Sequence, residues 1–128
     1  MNVKESAQNY LEAILILSQK NGNVRSVDVA NYMNFTKASI SVAMKHLREQ
    51  EYIAVSDDGS ITLTAQGKEI AEMLYERHQV IADILIALGV SEKTAYEDSC
   101  KIEHDLSQES FEKIKESLYK HHTQFRKS

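Results

Sequence analysis

Apolar residues recur at helical spacing along almost the whole chain, and the one interruption is a pair of β-rich runs around Ser56-Asp57-Asp58-Gly59. No other feature restricts the fold as much. A period of 3.6 commits each segment to burying one face of a helix, whereas a sheet needs a period near two. With no proline in the sequence, nothing forces a break inside a helix. Ala7, Tyr10, Leu11, Ile14, Leu15 and Leu17 predict a first helix from Glu5 to Lys20, stopped by Asn21-Gly22. Ser26 is expected to cap a short second helix with Val29, Ala30 and Met33 inward. After Asn34-Phe35-Thr36, the stripe Ile40, Ala43, Met44 and Leu47 predicts a third helix from Lys37 to Gln50. Tyr52–Val55 and Ser60–Leu63 then flank an Asp-Gly turn as a β-hairpin. Two short helices joined by a tight turn, followed by a hairpin, form the pattern of a winged helix-turn-helix.

The second half is helical throughout. Thr64 is expected to cap a long fourth helix that runs to Leu88 and stops at Gly89, with Ile70, Leu74, His78, Ile81, Leu85 and Leu88 as its inward stripe. Toward its end Val80, Ile81, Ile84, Leu85, Ile86 and Leu88 point nearly all round, and in so small a chain a second subunit is the simplest cover. Ile81, Ile84, Leu85 and Leu88 are therefore the expected dimer interface. Ser91 should cap a fifth helix reaching Asp105. Leu106-Ser107 should open a sixth, with Leu106 and Phe111 as a hydrophobic staple and Phe111, Ile114 and Leu118 as its stripe. The tail from Lys120 is expected to fray. The expected fold class is mainly α: a winged-helix domain over 1–66, followed by a helical domain with a dimerisation face over 67–128.

Charge separates the two halves. The net charge of −4 argues against a generic nucleic-acid coat protein, yet Lys20, Arg25, Lys37, Lys45 and Arg48 face only Asp28 between residues 20 and 48. A basic segment on an acidic body suits a double-stranded DNA reader. Its outer face, Thr36, Lys37, Ser39, Ser41, Val42 and Lys45, offers hydroxyls and ammonium groups for base edges and phosphates, and a methyl-bearing side chain for thymine. An ordinary solvated helix face is the plainer alternative. The single cysteine leaves no intramolecular disulfide framework, and no leader precedes the first helix, so a reducing cytoplasm is the expected compartment. The apolar run at 80–90 is too short for a membrane span and contains Asp83.

The segment Cys100-Lys101-Ile102-Glu103-His104-Asp105-Leu106-Ser107 holds that cysteine with a carboxylate three residues on and an imidazole four residues on. On one helix the three share a face. A buried Cys100 with Glu103 and His104 in solvent is the bland reading. If the first, fourth and fifth helices pack together, however, Glu12, His78, Cys100, Glu103 and His104 converge as a metal-type donor set. His78 by itself reads as a core histidine, and Glu12 as an exposed acid. A thiol enzyme using Cys100 with His104 as base lacks an orienting third group and a glycine-rich oxyanion loop. No small organic substrate and no enzymatic activity are expected.

Five stretches in this order, QNYLEAI, KASISVAMKHLREQEYI, LTAQGKEIAE, YERH and CKIEHDLS, make the chain resemble the diphtheria-toxin-repressor and manganese-transport-regulator family of metal-dependent repressors, in its short two-domain form. The resemblance implies a homodimer that binds palindromic operators when a divalent transition metal is bound. It places the metal ligands at Asn9, Glu12, His78, Cys100, Glu103 and His104. Asn9 departs from both the manganese branch (Asp) and the iron branch (Met), while Cys100 carries the iron-type residue. Ala82 and Tyr96 stand where the iron branch has the Glu and His of an ancillary site. The expected cofactor is Fe(II), with Mn(II) next, because a thiolate disfavours Mn(II) against its competitors; Zn(II) or Co(II) should bind in vitro. A winged-helix regulator without metal dependence, responding to another ligand or to Cys100 oxidation, is the alternative.

Overall fold

The computed structural model describes residues 5–121. In chain order the elements are α1 (Glu5–Asn21), α2 (Ser26–Met33), α3 (Lys37–Glu49), β1 (Ile53–Val55), β2 (Ile61–Leu63), α4 (Ala65–Ala87), α5 (Glu92–Ile102) and α6 (Gln108–His121). Two compact units divide between Met73 and Leu74, inside α4. The boundary read from the sequence, between residues 66 and 67, lies instead at the start of that helix. The part of the expected frayed tail that follows His121 lies outside the described residues. Among those described, no helix is long and apolar enough to cross a membrane.

In the first unit α1 packs on α2 and β2, α2 on α3, and α3 on β1. Leu11, Ile14, Val24, Val29, Ile40, Met44, Leu47, Ile53 and Ile61 are buried, so each predicted helical stripe is a core face. The turn between α2 and α3 closes on Asn34 in the left-handed region (φ 59°), which asparagine tolerates better than most residues. Phe35 N–H then reaches the Ala30 carbonyl at 3.0 Å. Thr36 caps α3 by accepting from Ser39 N–H at 3.1 Å. One cap is displaced from its expected place. Arg25 occupies the N-cap position of α2, its N–H donating to Asp28 Oδ2 at 2.9 Å, so Ser26 is the first helical residue.

The hairpin pairs Ile53 with Leu63, Ala54 with Thr62 and Val55 with Ile61. Ile61 N–H also donates to the Val24 carbonyl at 2.7 Å, a bridge that anchors the wing on the segment between α1 and α2. Thr64 caps α4, accepting from Gly67 N–H at 3.2 Å. Gly67 is there for space. A Cβ at this position would stand 2.0 Å from the Tyr52 carbonyl oxygen.

In the second unit Val80, Phe111 and Leu118 form a buried cluster with Ile84 and Ile114 against it. Ser91 caps α5 and Ser107 caps α6, accepting from Thr94 N–H at 3.4 Å and Ser110 N–H at 3.1 Å. α5 ends at Ile102, short of the expected Asp105, and Glu103 to Asp105 form a turn. Asp105 N–H turns back to the Ile102 carbonyl at 3.0 Å, and Arg77 Nη1, from α4, donates to the carbonyls of Glu103 (2.9 Å) and Leu106 (2.7 Å).

Candidate metal centre

Four of the six expected ligands lie in the second unit, where His78 neighbours Cys100 and Glu103, and Glu103 neighbours His104. His78 projects from the middle of α4, Cys100 from the last turn of α5, Glu103 from its C-cap position and His104 from the turn that follows. Cys100 Sγ is 3.5 Å from His78 Nε2 and 3.8 Å from Nδ1. Glu103 Oε2 is 3.8 Å from His78 Nδ1, and Oε1 is 3.7 Å from His104 Nε2. The helix-face argument holds as far as Glu103, whose φ of −57° and ψ of −29° are helical and whose N–H donates to the Ser99 carbonyl, whereas His104 lies in the turn that follows.

Burial within this group is the opposite of the bland expectation. Cys100 is exposed, whereas Glu103 is 1 % exposed and the His104 side chain 5 %. Taking a carboxylate out of water costs several kcal/mol unless cationic or hydrogen-bonding groups meet it, and here it is met by two imidazoles. Donor atoms held by one first-row cation at about 2.0–2.3 Å stand roughly 3–4 Å apart, a spacing met by the neighbouring pairs His78–Cys100, His78–Glu103 and Glu103–His104 taken one at a time. One thiol, two imidazoles and one carboxylate are a donor set for Fe(II), Co(II) or Zn(II), and less favourably for Mn(II). The residues present therefore fit the group that the resemblance implies.

Tyr96 packs edge-on against His78, with ring centroids 5.7 Å apart at 64°. Its hydroxyl is pushed above the usual tyrosine range, first by burial and then by the carboxylates of Asp83 and Glu92. Ala82 is fully buried. The two positions expected to lack an ancillary site thus present a methyl group and a protonated phenol, neither a strong cation ligand.

The other two expected ligands sit on α1, in the first unit. Glu12 is 6 % exposed rather than solvated, and Asn9 is half-buried. On α3 all six expected DNA contacts, Thr36, Lys37, Ser39, Ser41, Val42 and Lys45, are exposed, with Val42 at 57 %. Thr36 and Ser39 also bond each other through their hydroxyls at 2.9 Å. Of the expected dimer residues, Leu88 is 74 % exposed and Leu85 half-buried, while Ile84 packs on the Phe111 cluster and Ile81 is buried.

Sequence reading missed Arg77. It is 6 % exposed, bonded to two carbonyls and to Gln108 Oε1, and stacked 5.2 Å from the Phe111 ring centroid. A signal was present: Arg77 stands three residues after Leu74 and four before Ile81, on the apolar stripe itself. A charge on such a stripe must have partners, though spacing cannot say which.

The chain matches the family model described as iron dependent repressor, N-terminal DNA binding domain, over residues 2–61. The model described as iron dependent repressor, metal binding and dimerisation domain, matches residues 64–125. An HTH-type transcriptional regulator of Methanocaldococcus jannaschii is 33 % identical over 115 residues, covering 88 % of this chain and 92 % of that protein. The HTH-type transcriptional regulator MntR of Geobacillus thermodenitrificans is 31 % identical over 109 residues, covering 85 % and 77 %. Among solved structures, that of the manganese regulator SloR superposes with a TM-score of 0.77 at 23 % identity, over 92 % of this chain and 54 % of that one. At such identity the likeness speaks for the fold.

Proposed function

The chain belongs to the iron-dependent repressor family of metal-dependent transcriptional regulators, and from that premise we propose a cytoplasmic repressor whose homodimer binds palindromic operator DNA when Fe(II) or Mn(II) is bound, controlling metal-homeostasis genes. The observation that carries this reading is the buried Glu103 carboxylate set between two imidazoles, with the Cys100 thiol at hand.

In this reading His78, Cys100, Glu103 and His104 hold the cation, and Asn9 and Glu12 complete the set. A bound divalent cation supplies a positive centre that favours one arrangement of these donors over the rest. The protein's part is to present Glu103 ionised, both imidazoles neutral and Cys100 as the thiolate, so binding releases protons and weakens as pH falls. The thiolate tilts the choice toward Fe(II), with Mn(II) second and Zn(II) or Co(II) binding in vitro. Asn9 and Glu12 belong to the unit that carries α3, so their ligation links metal occupancy to DNA affinity. If about one apo molecule in a hundred holds the DNA-competent arrangement, saturating metal raises DNA affinity up to about a hundredfold.

On DNA, Lys37 and Lys45 meet phosphates while Thr36, Ser39, Ser41 and Val42 approach the bases. Replacing both lysines by Ala weakens binding to every sequence and flattens the salt dependence, since fewer counterions are released. The dimer forms through the end of α4 and the residue after it, where Leu88 is exposed and Leu85 half-buried, beside the buried Ile81 and the core-packed Ile84.

The test is an operator titration of wild type, Cys100→Glu and His104→Ala in chelator, Mn(II), anaerobic Fe(II) and Zn(II). Wild type tightens with metal, Cys100→Glu shifts its preference toward Mn(II), and His104→Ala loses activation by all three. Equal wild-type affinity in chelator and in saturating metal leaves a winged-helix regulator that answers to another ligand or to oxidation of Cys100.

A further inference from the structure

We propose that Arg77 is a positioning residue of the metal centre: its guanidinium clamps the turn that presents Glu103 and His104 to His78. The inference rests on the metal-centre reading and assigns a role to a residue that is not itself a ligand.

Two backbone bonds close the turn. Glu103 N–H donates to the Ser99 carbonyl at 3.0 Å and Asp105 N–H to the Ile102 carbonyl at 3.0 Å, and α6 starts afresh from its Ser107 cap. The carbonyls of Glu103 and Leu106, at either end of the turn, are both taken by Arg77 Nη1, at 2.9 and 2.7 Å. Nη2 is fixed in turn by Gln108 Oε1 at 3.0 Å, and the guanidinium plane lies over Phe111. Carbonyls at a helix C-terminus carry partial negative charge, so a buried cation is stable there. A planar fork that donates along several fixed directions suits the place better than an ammonium.

The consequence for the donors is geometric. Glu103 bears its clamped carbonyl and its carboxylate on one Cα, so fixing the peptide narrows where the carboxylate can go. Arg77 and the ligand His78 are adjacent in α4, so clamp and ligand share one rigid backbone. The turn is thereby registered against the imidazole it must face. Cys100, in contrast, is held inside α5 by helical bonds and does not need the clamp.

Co(II) titration of the full chain tests this, read by its ligand-field absorption and thiolate charge-transfer band beside far-UV circular dichroism and urea unfolding. Arg77→Met should remain helical and keep the charge-transfer band at saturation. Its Co(II) affinity should fall about 10- to 100-fold, a common cost of losing a group that orients ligands, and its ligand-field bands should shift. Arg77→Lys, with the charge kept but the fork lost, should lie between. Ile114→Ala, which loosens the same core without touching the turn, should retain Co(II) affinity. The proposal is overturned by wild-type affinity and spectrum in Arg77→Met, or by an equal loss in Ile114→Ala. A gain in affinity in Arg77→Met also overturns it, since the guanidinium would then act through its charge. Should Arg77→Met not fold, Gln108→Leu decides, with a several-fold loss expected and wild-type affinity overturning the clamp. A wild-type chain that binds no Co(II) removes the metal-centre reading itself and this inference with it.

Discussion

The two units hold their polar groups in different ways. In the first, the bonds that shape the backbone mostly span a few residues: Arg25 to Asp28, Thr36 to Ser39 and Ser60 to Asp58. In the second, Arg77 reaches partners 26, 29 and 31 residues away, and Cys100 meets His78 across 22. Short-range bonds form wherever the local sequence permits. Long-range ones exist only once helices have packed, and they are lost together. A DNA-reading unit built the first way keeps the shape of α3 and the wing, while a sensing unit built the second way depends on a few contacts, which suits a site meant to respond to a ligand.

The comparison is tested most severely by Phe111→Ala. This ring lies beneath both the Val80–Leu118 cluster and the Arg77 guanidinium, so its loss should cost about 3–5 kcal/mol in urea unfolding and lower metal affinity as the turn loosens. A loss under about 1 kcal/mol, within the range of a surface change, would mean that the second unit is less dependent on its packing than described.

Gly67→Ala probes the exception in the first unit. The new methyl must push against the Tyr52 backbone, and since backbone cannot swing aside, destabilisation of about 1–3 kcal/mol is expected from thermal unfolding. An unchanged melting temperature would show that α4 shifts freely against the wing and that this junction is not a fixed contact.

Cap removal should treat both units alike. Thr36→Ala and Ser91→Ala each delete one side-chain acceptor at a helix start, worth about 1 kcal/mol. Similar small losses by chemical denaturation would confirm that the units differ in their long-range bonds rather than in their helix ends. A loss several times larger at Ser91 would extend the difference to the caps.

The smallest effect concerns the wing turn. Asp58 is held down to about 2 from an ordinary 3.8, chiefly by the Ser56 hydroxyl, then by Ser60 N–H and more weakly by Arg25. A depressed carboxylate stabilises the folded form above its unfolded value and loses that contribution as pH falls through its folded value. Its effect on the turn should therefore be complete above about pH 4 and fade toward pH 2, with the Asp58 carboxyl resonance titrating near the lower figure. A midpoint near 3.8 would mean that the turn is open in solution.

The sequence by itself determined the helices, the caps at Thr64, Ser91 and Ser107, the hairpin and the residue types of the candidate metal centre. Each of these follows from spacings of four residues or fewer, where chain geometry leaves little choice. Tertiary structure alone decided that Glu103 is buried while Cys100 is not. It also decided the role of Arg77, which the pattern marked as a misplaced charge without showing its partners. Local spacing fixes which face a side chain takes on its own helix, but burial and hydrogen-bond partners depend on which helix arrives opposite. The turn after α5 is a case in point, because the carbonyls of Glu103 and Leu106 find their donor in a guanidinium from α4.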